Sequence, residues 1–217
     1  STIILYGIFA GLVAILVTVA IEKFGGFVGG VLGTVPSTII PAAAGVYALE
    51  GDESLTASMS VVPIGMLING VFLGVWIILP KYIASDRLKL PITVVVSLLT
   101  WAVMALLSLI IAREVTDDTI SEMTLGTIGI VLLAILAIMF NLSNRAAPKG
   151  LNKVPIIILS IRGIAAGLAI AACLVLAEIG LPFVAGLASA FPAIFLTSMV
   201  ALWPVSYTHL TLPTIIT

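Results

Sequence analysis

The chain has 217 residues, 61% of them hydrophobic and 9% charged, with a mean hydropathy of +1.33. So little polar surface cannot cover a water-soluble core, and the composition is that of an integral membrane protein. Nine basic and ten acidic residues leave a net charge of −1, a balance that points to neither nucleic acid nor an anionic lipid surface as a partner.

Apolar runs long enough to cross about 30 Å of hydrocarbon as helices fall at about 2–21, 25–48, 56–80, 91–112, 123–141, 154–177 and 181–203. Ten-residue stretches of strict alternation are missing, which argues against a transmembrane barrel. The expected class is all-α, polytopic, with seven transmembrane helices. The first run has neither a charged leader nor a small-residue cleavage site, so it reads as a span rather than a signal peptide.

The first run ends at Glu22, and the second opens with a glycine stripe, Gly25, Gly29 and Gly33 beside Gly26 and Gly30. Small residues spaced by four let helices approach closely in lipid. Thr34, Pro36, Ser37, Thr38 and Pro41 follow. Each proline removes an amide donor and obstructs the preceding turn, and the freed carbonyls need neighbours or a lined cavity. A broken helix with hydroxyls at Thr34, Ser37 and Thr38 is therefore the first candidate site.

The third run carries Asn69, with Ser58 and Ser60 before Pro63. An amide there serves either helix-to-helix hydrogen bonding or a site. The tryptophans Trp76, Trp101 and Trp203, like Tyr47 and Tyr82, read as interface anchors. The sixth run holds Arg162 about nine residues from its start, roughly 12 Å into the membrane. An arginine at that depth either snorkels or needs a carboxylate partner, Glu22 being the first choice, or an anionic substrate. Glu178 closes the same run sixteen residues later. Glu22 and Glu178 are either interfacial acids or partly desolvated carboxylates suited to proton or cation coupling.

Gly7–Pro36 lies on Gly163–Pro192 at an ungapped offset of 156, with eleven of thirty positions identical, among them Gly7/Gly163, Gly11/Gly167, Glu22/Glu178, Gly30/Gly186 and Pro36/Pro192. Chance gives about three in so biased a composition. The first two spans thus recur as the sixth and seventh, and a repeat five helices long must invert between copies. Loop charges agree: Lys81, Arg87 and Lys89, and later Arg145, Lys149 and Lys153, mark cytoplasmic loops, whereas Glu50, Asp52 and Glu53, and later Glu114, Asp117 and Asp118, mark outer ones. The N-terminus is expected outside.

Residues 1–143 then form the first repeat, 144–153 a cytoplasmic linker and 154–204 the first two helices of the second, truncated from a full ten. This plan resembles secondary transporters of the five-plus-five inverted-repeat kind, whose site lies near the midplane where the repeats meet. The glycine-rich Pro-Ser-Thr segment also resembles a motif of some small bacterial membrane proteins, which implies a bacterial inner membrane. Val205–Thr214, VSYTHLTLPT, resembles translated sequencing-adapter read-through, the alternative being a short polar tail with a turn at Pro213. Residues 205–217 are accordingly expected to be unstructured, and the single histidine, His209, carries no chemistry.

Without His209 there is no histidine, and the one cysteine, Cys173, sits in an apolar run. Metal and thiol chemistry lack their residues, so an enzyme, a metal and a cofactor are not expected. The expected function is secondary transport of a small ion or solute, coupled to protons or sodium. A channel or uniporter and a non-transporting scaffold or assembly factor are the alternatives, and homo-oligomerisation is left open. The expected site comprises Glu22, Thr34, Ser37, Thr38, Asn69, Arg162 and Glu178, with Gly25, Gly29, Gly30, Gly33, Pro36, Pro41, Gly186 and Pro192 setting bends and packing.

Overall fold

A computed structural model of the chain describes residues 2–24, 36–116, 121–141 and 155–208. Among them the fold is helical, without strands: α1 (Thr2–Phe24), α2 (Ile39–Ile78), a 3-10 turn (Leu79–Lys81), α3 (Asp86–Thr116), α4 (Glu122–Asn141), α5 (Ile156–Glu178), α6 (Pro182–Ser189) and α7 (Ala193–Thr208). Four helical stretches, Thr2–Ala20, Ile39–Lys81, Asp86–Ala112 and Ile156–Glu178, are long and apolar enough to cross a membrane. This is compatible with an integral membrane location.

The helices do not divide as the seven apolar runs suggest. The second and third expected spans share the 40 residues of α2, whose regularity fails at Gly51, with φ 77° and ψ −163°. A side chain rarely adopts that conformation, so the glycine puts a kink where an outer loop was expected. Glu50, Asp52 and Glu53 flank it, all exposed. The seventh expected span is likewise two helices, α6 and α7, separated at Ala190–Pro192. Residues 205 to 208, expected to be unstructured, continue α7.

Two apolar clusters organise the packing. The first arm of α2 contributes Ala42 and Val46 to a cluster with Ala10 of α1, Ile170, Cys173 and Leu174 of α5, and Ala185 of α6. The second arm contributes Val61 and Ile68 to another, with Ala105 of α3, Leu125 of α4 and Leu187 of α6.

Helices α1 and α5 cross antiparallel with glycine on glycine. A Cβ built on Gly11 would lie 2.8 Å from the Gly163 carbonyl oxygen, and one on Gly167 would lie 2.8 Å from that of Gly7. The converse pairs, Gly7 to the Gly167 oxygen and Gly163 to the Gly11 oxygen, measure 3.2 and 3.3 Å. Exchanging each residue for its mate at offset 156 turns each of these contacts into its partner of nearly equal length. The buried stripes match too: Gly7, Ala10, Ala14 and Thr18 on α1 correspond to Gly163, Ala166, Ile170 and Leu174 on α5.

Candidate functional site at the helix breaks

Pro192 has no amide donor, so the helical ladder stops before it. The last turn of α6 tightens instead, with the Ala190 and Phe191 amides donating to Leu187 and Ala188. Ser189 Oγ donates to the Gly186 carbonyl at 2.6 Å. The interruption leaves the Ala190 carbonyl without its in-helix donor, and Asn69 Nδ2 supplies one at 2.8 Å.

Asn69 is 4% exposed and makes two further contacts. Its Oδ1 accepts from Trp101 Nε1 at 3.0 Å, and its Nδ2 lies 3.8 Å from Met66 Sδ. The Trp101 ring then meets Phe191 edge-on, with centroids 5.2 Å apart. A single amide thus ties α2 and α3 to the break between α6 and α7. Asn69 thus links helices, and it also lines the cavity described next.

The start of α2 is built differently. Ile39 and Ile40 donate to the carbonyls of Pro36 and Ser37 at 3.0 and 3.3 Å, and Ala42 donates to Thr38. Pro41 is fully buried and sits in the first turn of α2, where an amide has no intrahelical acceptor to lose. The expectation that Pro41 breaks a helix is therefore corrected: it starts one.

The start of α2 and the α6–α7 break face a common cavity of about 50 Å³, room for one or a few water-sized groups. Pro36, Ser37, Thr38 and Ile39 line one side, and their offset-156 mates Pro192, Ala193, Ile194 and Phe195 line the other. Met66 and Asn69 of α2, Ala166, Ala169 and Ile170 of α5, and Ser189, Ala190 and Phe191 complete it. No charged side chain is among these described residues.

Ser37, Thr38, Asn69, Pro36 and Pro192 thus come together as the sequence suggests. Arg162 is buried, 6% exposed, but does not line the cavity; it lies one helical turn before Ala166 on α5. Glu178 is exposed at the far end of the same helix, about 12 Å beyond Ile170. That end is closed by a Schellman turn, in which Gly180, at φ 78°, and Leu181 donate to Ala177 and Leu176.

Gly186 packs backbone to backbone against the Ser58 carbonyl. The α1–α5 register sets Arg162 level with Leu12, about 15 Å along the axis from Glu22. The Glu22 side chain, Thr34, Gly25, Gly29, Gly30 and Gly33 lie outside the described residues.

Met66, Ala169 and Trp101 were not singled out in the sequence as parts of the site. Met66 stands three residues before Asn69, the helical spacing that shares a face, and that was the available signal. Trp101 is half-buried on the Asn69 amide, and the buried Trp76 meets Phe72 at a tilt and Trp203 edge-on. The class these elements define is a helical protein with membrane-length spans and a small uncharged cavity between the start of α2 and the α6–α7 break. No protein-family model, curated protein or solved structure matches the chain.

Proposed function

We propose that the chain is a secondary transporter for a small ion or solute, built from inverted five-helix repeats with the N-terminus outside, in a bacterial inner membrane. Its transport site is the cavity between the start of α2 and the α6–α7 break. The observation that carries this reading is that equivalent tetrapeptides, Pro36–Ile39 and Pro192–Phe195, line one cavity. The paired glycine contacts of 2.8 and 2.8 Å, and of 3.2 and 3.3 Å, support the inversion, because a two-fold axis maps each such contact onto its partner. Discontinuous helices meeting between inverted repeats are how carriers expose backbone groups to a solute.

Ser37 and Thr38 are the hydroxyls placed to meet that solute, and Asn69 holds the opposite wall. Arg162 is the buried charge nearest the cavity and a candidate for coupling to protons or sodium. On this reading the second repeat has three further helices, mates of the third to fifth spans.

The test is uptake of a panel of labelled small ions and solutes into proteoliposomes under imposed proton or sodium gradients. Saturable, gradient-driven uptake is expected for the protein carrying all ten proposed helices. Thr38→Val and Ser37→Ala should abolish it while leaving the melting temperature within a few degrees, since neither substitution moves backbone. Current without countertransport would instead identify a channel. Uptake unchanged in both variants would overturn the site.

A further inference from the structure

We propose that the groove among α2, α3 and α4 binds one anionic phospholipid, an acyl chain lying in the groove and the phosphate held by Lys81 and Arg87. This inference rests on the membrane location and not on transport.

Helices α3 and α4 both pack on α2 but barely meet each other, and the gap between them encloses about 410 Å³. Val71, Val75 and Ile78 of α2, Val96 of α3 and Leu136 of α4 wall it, with Tyr82 at one end. The other end closes where Leu136 reaches Gly70, whose built Cβ would lie 2.6 Å from a leucine methyl. From Val71 to Tyr82 the groove runs roughly 16 Å, about half of a 30 Å hydrocarbon layer. It is the length of one leaflet, and its walls offer nothing polar until Tyr82.

Charge appears where the groove opens. Tyr82 is exposed, with an amphipathic ring suited to headgroup depth. Lys81 precedes it in the chain and Arg87 follows in the first turn of α3, both exposed. Asp86 is engaged by Lys89 at 2.7 Å, so among the described residues Lys81 and Arg87 have no acidic partner. The near-zero net charge of the whole chain hides this local excess, which is what a phosphate beside an apolar tail would meet.

The test titrates the detergent-purified chain with phosphatidylglycerol and, separately, phosphatidylcholine, counting bound lipid by native mass spectrometry. One phosphatidylglycerol should bind in preference to phosphatidylcholine. Lys81→Gln and Arg87→Gln, at exposed positions that leave the fold intact, should each weaken it about fivefold. Val75→Trp and Leu136→Trp, which fill the groove from two different helices, should each remove it; whichever keeps the parent melting temperature in lipid-free detergent decides. Equal affinity for both lipids, unmoved by the glutamine variants, would overturn the headgroup assignment. Binding that survives in a folded groove-filling variant would overturn the groove itself.

Discussion

The α1–α5 crossing and the α6–α7 break hold helices together by opposite means. At the crossing, paired glycines bring bare backbone against backbone, and cohesion comes from close contact over many atoms. At the break, one amide bridges three elements through bonds of 2.8 and 3.0 Å. The first joint depends on the absence of atoms, the second on the identity of a few. In lipid, where apolar surface gains little from helix association, both routes are open, and they fail in different ways.

The largest expected effect belongs to a backbone contact. Gly186→Ala would drive a methyl into the Ser58 carbonyl, and with backbone on both sides neither can yield; a loss of about 3 kcal/mol is expected, read by denaturant titration in detergent. At the crossing, Gly11→Ala and Gly167→Ala should each cost about 2 kcal/mol. Their costs should agree with each other, and both should exceed that of Gly7→Ala, because the contacts are 2.8, 2.8 and 3.2 Å. Unequal losses at Gly11 and Gly167 would break the symmetry between the two copies.

At the polar joint the scale is smaller. Asn69→Leu keeps the volume but strips donors and acceptors from the Ala190 carbonyl and the Trp101 indole, for about 1.5 kcal/mol. Trp101→Phe removes one bond and keeps the ring against Phe191; about 0.6 kcal/mol is expected, the average for such a bond in a membrane. Should Trp101→Phe cost as much as Asn69→Leu, the amide would be acting through α3 rather than through the break.

How much of this could be read in advance differs between the two joints. The glycine pairs and their offset stand in the sequence, because spacing by four is a property of one helix. The proline at the second break does too. Asn69 was visible as a polar residue in an apolar run, but its partners were not: Ala190 is 121 positions away, and no local pattern names a carbonyl that far off. Pro36 and Pro41 read alike as breakers. Which one begins a helix depends on where the first turn closes, and that is set by the Ile39–Pro36 bond. The kink at Gly51 was equally hidden, since a positive φ leaves no compositional trace and the flanking acids suggested a longer loop.

Cys173, the single cysteine of the chain, is fully buried between α1, α2 and α5. A thiol so enclosed is screened from bulky maleimides, which makes the unmodified protein a silent background for chemical mapping. Asp52→Cys and Lys81→Cys, both at exposed positions, can therefore be introduced without first removing the native thiol. A membrane-impermeant reagent applied to intact cells would then report which compartment each helix end faces.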